Sequence, residues 1–157
     1  MKIQFKLSCL VLFGVLLFLM PLQVTAADDK AAITYRVRVM KGIGANMHSI
    51  GDILKGKVDH KELIVHYAKA LNETSKTVTT IFKQDTSKSK KNSRSKNAIW
   101  EKWGDFEKES NAFVKASTNM VKAAETGDMA NIGPAMKKLG ETCGDCHKPF
   151  REKKKKK

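Results

Sequence analysis

The sequence predicts an all-α protein, an antiparallel four-helix bundle, on three observations. Four stretches repeat apolar residues at steps of three and four positions, the period of an α-helix with one buried face. No stretch shows the alternation of apolar and polar residues that indicates a half-buried strand. Two connections between the stretches are short and one is longer, and short loops make successive helices antiparallel neighbours.

The first two helices are predicted over about residues 29–55 and 59–82. The second opens with Asp59 and Glu62, a capping-box pattern with Asp in place of Ser or Thr, and its apolar stripe ends near Phe82. The first carries a heptad-like seam, made of Ile33, Val37, Met40, Gly44, Met47, Gly51 and Leu54.

The last two helices are predicted from their end signals. The third starts after Asn97 and stops at Gly127, and Asp128 caps the fourth, which continues to about residue 150. Pro149 lacks a backbone donor, so we expect it to kink the fourth helix or to end it early.

The N-terminal segment predicts export. Two lysines precede an apolar run over residues 7–22, and small residues at 24–26 offer a signal-peptidase site. The alternative is a membrane anchor, but the run holds about 16 residues against the ~20 that a spanning helix needs, and Pro21 interrupts it. We therefore expect a signal peptide over residues 1–26, a mature bundle over 27–157, a periplasmic location and no stable membrane insertion.

The chain is strongly basic, with 30 Lys and Arg against 16 Asp and Glu and a formal net charge of +14. A nucleic-acid partner is not expected, because the chain is exported and shows no base-reading motif. The basic excess is concentrated in the connection 83–97 and the tail 153–157, which we expect to be solvated and mobile. They serve either solubility alone or electrostatic contact with acidic partner proteins or an anionic membrane surface.

A five-residue motif near the C-terminus carries the chemistry: Cys143-Gly144-Asp145-Cys146-His147. Cys-x-x-Cys-His is the spacing for covalent attachment of haem c, in which each thiol forms a thioether and the histidine binds the iron. On a helix the three side chains share one face.

The motif has three other interpretations. A thioredoxin-type redox pair requires a βαβ pattern, which the sequence lacks. A zinc site requires a second ligand pair, and the remaining cysteine, Cys9, lies in the predicted signal peptide. An exported helical adaptor with an incidental Cys-x-x-Cys would be colourless and would fold without a cofactor.

The mature chain resembles the cytochrome c′ family over about residues 29–153. The resemblance rests on the C-terminal position of the haem motif, on Phe150-Arg151 shortly after it, and on Tyr35-Arg36 with Met40 in the first helix. It implies one covalent haem c in a bundle, and roles for eight residues: Cys143, Cys146, His147, Arg36, Met40, Arg151, Phe82 and Phe106.

The resemblance assigns these roles individually. His147 is implied as the one protein ligand of the iron, with Met40 blocking the opposite face without ligating. Arg36 is implied to lie near a haem propionate, and Arg151 beside the histidine. Phe82 and Phe106 are implied as further walls of the pocket, and Cys143 and Cys146 as the residues that form the thioethers. No haem role is expected for the connection 83–97.

The implied function is electron transfer, binding of small gases such as NO and CO at a five-coordinate iron, or both, rather than enzymatic catalysis. A weak NO-reducing side activity stays open. The alternative is a six-coordinate, low-spin electron carrier with Met40 or Met47 as sixth ligand. A redox partner protein, which could be acidic, and a homodimer are further expectations.

Overall fold

The computed structural model describes residues 28–90 and 93–153, and within them the chain forms six α-helices. They are α1 Asp29–Leu54, α2 Ile64–Ser75, α3 Val78–Phe82, α4 Ala98–Glu101, α5 Trp103–Glu125 and α6 Met129–Phe150, with a 3₁₀ turn at Lys61–Leu63 before α2. The predicted signal peptide and the last four lysines lie outside the described residues. None of the helices described is long and apolar enough to cross a membrane.

The helices form the predicted four-helix bundle, because α3 continues α2 and α4 precedes α5. α5 packs against α6 and α2, and α2 packs against α1, whereas α1 and α6 make few contacts. The fully buried apolar side chains come from every main helix: Ile33, Ile50, Ile64, Leu71, Ile99, Met120, Ile132 and Leu139. The all-α fold class is therefore confirmed, and the bundle is least tightly closed between α1 and α6.

The second predicted helix is broken, so its prediction as one continuous helix over 59–82 is wrong. No side-chain cap begins the 3₁₀ turn or α2, which removes the capping-box expectation for Asp59 and Glu62. α2 ends at Ser75, where the Ser75 and Thr77 hydroxyls donate to the Asn72 and Thr74 carbonyl oxygens, at 2.7 Å each. Side-chain hydroxyls that compete for carbonyls in this way interrupt a helix without changing its apolar pattern.

The seam of α1 also differs from the prediction at Val37, which is 45% exposed. The buried residues of this helix are Ile33, Arg36, Ile43, Ile50 and Ile53. The core-facing stripe is therefore displaced from the predicted one, and it includes an arginine.

The third predicted helix begins after Asn97 as expected, but it is interrupted at Lys102 between α4 and α5, so its prediction as one continuous helix is wrong. The C-terminus of α5 and the N-terminus of α6 follow the predicted signals. Gly127 has φ +67°, a left-handed conformation that glycine adopts at little cost, and the Asp128 carboxylate accepts a hydrogen bond from the Ala130 amide at 2.9 Å. α6 continues one residue past Pro149 to Phe150, so the proline lies in the last turn, after the motif, and the whole motif is helical. Its missing amide affects only the last turn, where a single hydrogen bond is lost.

Candidate haem site

The motif lies on the last two turns of α6, entirely in helical conformation. Cys143, Cys146 and His147 are half-buried, and both thiols are free. The Cys143 thiol donates to the Leu139 carbonyl oxygen over 3.5 Å, while Asp145 points outward and pairs with Lys148 at 3.2 Å. The helix thus presents two thiols and an imidazole on one inward face, as the spacing predicts.

Two adjoining cavities lie beside this face. The main cavity, about 420 Å³, is lined by residues from every side of the bundle opening: Arg36, Val37, Met40, Lys41, Val78, Phe82, Ser93, Arg94, Ser95, Ile99, Phe106, Cys146, His147, Phe150 and Arg151. The narrow cavity, about 50 Å³, is lined by Met40, Ile43, Val78, Glu109, Ser110, Phe113, Thr142, Cys143, Cys146 and His147. Because four residues line both, we treat them as one cleft, and its main part has the size of a cofactor site.

Aromatic rings form one wall of the cleft. The centroids of Phe82 and Phe106 are 5.1 Å apart, and Phe106 meets Phe150 edge to face at 5.4 Å. Trp103 packs on the outer side of Phe106 at 5.5 Å. Such pairs fix ring positions in a core, so the wall offers a rigid apolar surface to a planar group.

The predicted propionate contact, Arg36, lines the cleft but already has protein partners. It is 2% exposed, and its Nε donates to the Ile81 carbonyl oxygen at 2.7 Å. Its terminal nitrogens donate to the Thr86 hydroxyl at 2.8 Å and to the Gln84 carbonyl oxygen. A guanidinium has five N–H groups, so two remain for another acceptor.

The Arg36 guanidinium is also stacked between two rings, with its carbon 5.0 Å from the Phe82 centroid and 5.4 Å from that of Trp100. Burial lowers the pKa of Arg36, and the charges of Asp29 and Asp85 oppose that shift. The Arg36 side chain therefore holds the segment after α3 against α1, whether or not a haem propionate is nearby.

Burial controls the ionisation of the motif itself. It raises the pKa of Cys146 to about 11, with Glu109 and Cys143 adding to the shift, and it raises the pKa of Cys143 as well. Burial, followed by the positive charges of Arg151 and Arg94, lowers the pKa of His147. The free thiols are thus protonated and the imidazole neutral, which is the form that binds a metal.

The structure places Met40 and Met47, the two alternative sixth ligands of the iron, in different cavities. Met40 lines both parts of the cleft with His147. Met47 lines a different cavity, of about 360 Å³, together with His48 and Met136. All eight predicted site residues line the cleft, and Met47 does not.

Sequence reasoning missed several residues of the cleft. Ser93, Arg94 and Ser95 come from the basic connection, for which no haem role was expected, and the structure places them on the lining of the cleft. Val37 and Lys41 flank Met40 on α1, and their three- and four-residue spacing could have identified them. For Arg94 the sequence gives no signal, because its position depends on contacts with residues more than 50 positions away.

Three observations test whether the cleft suits a haem. Val37 is an exposed apolar side chain on the lining, and a planar apolar group would cover it. Among the residues described, only Ser110 has a buried polar side-chain atom without a hydrogen-bond partner, and it lies in the narrow cavity. Two thiols and an imidazole are the complete donor set for haem c. The residues present therefore fit the group.

An all-helical bundle with a Cys-x-x-Cys-His motif beside an apolar cleft defines the class of c-type haem bundles. The family model for cytochrome c′ matches residues 31–151, and the chain belongs to this family. Its cofactor is therefore one covalently attached haem c.

Individual relatives agree with this assignment. The cytochrome c′ of Rhodospirillum rubrum is 34% identical over 126 residues, covering 80% of this chain and 85% of the relative. Cytochrome c-556 of Agrobacterium tumefaciens is 35% identical over 120 residues, covering 76% and 95%. A cytochrome c′ structure from Alcaligenes xylosoxidans, a ferrous variant with bound NO, shares the fold at 21% identity, with a TM-score of 0.74 over 83% of this chain and 100% of that one.

Proposed function

We propose that this protein binds small uncharged gases, NO and CO, at a five-coordinate haem iron, and that it exchanges electrons through the same haem. The haem supplies an iron that alternates between the ferric and ferrous states and binds diatomic gases. His147 is the one protein ligand, and Cys143 and Cys146 hold the group through thioethers. The NO bound in the A. xylosoxidans relative supports the gas-binding part.

The observation that carries the proposal is the position of Met40. It reaches the cleft from α1, whereas His147 reaches it from α6. The apolar side chains Ile43, Val78 and Phe113 accompany Met40 in the narrow cavity. These apolar side chains disfavour water and ions beside Met40, and they admit a small neutral molecule that displaces one flexible methionine.

We propose further that the chain works in the periplasm after removal of residues 1–26 and that its redox partner presents an acidic surface. Lys41, Arg94 and Arg151 stand on the lining of the cleft, and Arg94 and Arg151 are exposed. Positive charges around a redox centre attract an acidic partner and accelerate encounter at low ionic strength. N-terminal sequencing of the exported protein checks the cleavage point.

The deciding experiment is the optical spectrum of the oxidised and dithionite-reduced protein, before and after CO. A broad Soret band without a sharp α-band, shifting strongly on CO, is expected for five-coordinate iron. A sharp α-band insensitive to CO would instead mean that a protein side chain occupies the sixth coordination position of the iron.

Two matched variants identify such a ligand. Met40→Leu keeps the bulk of the side chain and removes the sulfur, and Met47→Leu does the same in the separate cavity. We expect neither to change the resting spectrum. A change from low to high spin in Met40→Leu alone would establish Met40 as the sixth ligand and refute the five-coordinate assignment.

A further inference from the structure

The basic connection, residues 83–97, is held against the C-terminal end of α6 by a short antiparallel contact. We call α6 the haem helix, because it carries the Cys-x-x-Cys-His motif. The Lys96 amide donates to the Phe150 carbonyl oxygen at 3.0 Å, and the Glu152 amide donates to the Arg94 carbonyl oxygen at 2.7 Å. Ser95 and Arg151 form the bridge between these two hydrogen bonds. We call residues 93–96 with residues 150–152 the clasp. It joins two segments more than 50 residues apart and begins three residues after His147.

The side chain of Arg94 is fixed within the clasp. Its Nε and one terminal nitrogen both donate to the Glu152 carbonyl oxygen, at 2.9 Å and 2.6 Å. A guanidinium held by two hydrogen bonds to one acceptor has little freedom to turn away. Among the cations of the described part of the connection 83–97, Arg94 is the one that lines the main cavity, where His147 also lies.

We propose that Arg94 adjusts the redox equilibrium of the haem site. Its positive charge, held in place by the clasp, favours the ferrous over the ferric state of the iron. The inference rests on the proposed ligation of iron by His147. Ferric haem carries one positive charge more than ferrous haem, so a fixed cation nearby disfavours the oxidised form. Arg94 and His147 line the same cavity, so the fixed guanidinium charge acts on the region in which His147 would hold the iron.

Other charged side chains line the same cleft and also act on the redox equilibrium of the haem. Arg151 on the clasp has the same sign, and Lys41 on α1 lines the cavity. Glu109 on α5 lies in the narrow cavity, near Cys146. Removal of Arg94 therefore changes one charge among several, and the expected effect is a partial shift of the redox equilibrium.

The test is the midpoint potential of the haem-loaded protein, with an electrode and mediators supplying the single electron. Arg94→Gln removes the charge, Arg94→Lys keeps it, and Lys88→Gln removes an exposed charge of the same connection that does not line the cleft. We expect Arg94→Gln to raise the ferric-to-ferrous ratio at a fixed potential roughly threefold to tenfold, tenfold being about 59 mV for one electron. Arg94→Lys is expected to remain near the wild-type potential.

Two results would overturn the inference. If Arg94→Gln and Lys88→Gln shift the potential equally, the effect is one of net charge and Arg94 holds no special position. If Arg94→Gln exposes the Lys96 and Glu152 amides to hydrogen exchange but leaves the potential unchanged, Arg94 only fastens the clasp. Failure of the proposed function is recognised separately, because the wild-type protein would then show a sharp α-band insensitive to CO. Failure of the proposed ligation by His147 would show as the loss of an axial histidine signal.

Discussion

Replacement of Arg36 by methionine separates two roles that the sequence and the structure give this residue. Resemblance implies a contact with a haem propionate, while the structure shows three hydrogen bonds to Ile81, Gln84 and Thr86. Methionine keeps a long unbranched side chain against Phe82 but offers no donors and no charge. The variant therefore tests the hydrogen bonds and the cation–π contacts with little change in volume.

The expected change in the free energy of unfolding follows from these contacts. Each orphaned acceptor costs about 1–3 kcal/mol if water cannot replace the donor, and each cation–π contact contributes about 0.5–2 kcal/mol. Relief from burying the guanidinium offsets part of this loss, and water reaches the carbonyls, whose hydrogen bonds are only part-buried. We expect Arg36→Met to lower the free energy of unfolding by roughly 2–4 kcal/mol.

Chemical denaturation of the haem-loaded protein, followed by far-UV circular dichroism, measures this loss. Arg38→Met is the matched control, because Arg38 is exposed on the same helix and should change stability by less than about 0.5 kcal/mol. Equal stability of the two variants would refute the reasoning, since the guanidinium contacts would then contribute nothing to the fold. A large shift in midpoint potential with unchanged stability would favour the propionate role instead.

Three further outcomes are expected. Met40→Ala opens the face opposite His147 and accelerates CO binding in stopped-flow measurements, and unchanged kinetics would remove Met40 from the pocket. Ser110→Ala leaves the unfolding free energy unchanged or raises it by up to about 1 kcal/mol, whereas Ser117→Ala, which loses bonds to Asn72, Ser75 and Val114, lowers it by about 1–2 kcal/mol. Asp128→Ala lowers it by about 1 kcal/mol through the lost cap, and Asp59→Ala, where no cap forms, is the control; equal effects would contradict the capping assignment.

The haem helix could be predicted from the sequence because every signal for it is local. The Asp128 cap, the left-handed Gly127 and the three- and four-residue spacing of the motif each depend on neighbours within one or two turns. The break at residues 76–77 is also local, yet it was missed. There, hydroxyl groups compete for helical carbonyls, and this leaves the apolar pattern intact.

The cofactor explains why the predicted seam of α1 was only partly right. Val37 belongs to an apolar periodic pattern, but it is 45% exposed because it faces the cleft rather than a neighbouring helix. A periodic pattern records which side chains avoid water, and it does not distinguish burial by protein from burial by a bound group. Val37 is therefore a residue that a planar apolar group in the cleft would cover.

The cations of the cleft could be assigned least well, because their roles depend on contacts distant in sequence. Arg36 and Met40 share a face of α1 as their spacing requires, but the Arg36 donors are directed to carbonyl groups 45 and 48 residues away. Arg94 looked like one charge among many in a solvated connection, and its contact with Glu152 spans 58 residues. Arg36 retains two N–H groups for a further acceptor, and Lys41, Arg94 and Arg151 line the same cavity, so the cleft presents four cationic side chains to the carboxylates of a bound haem.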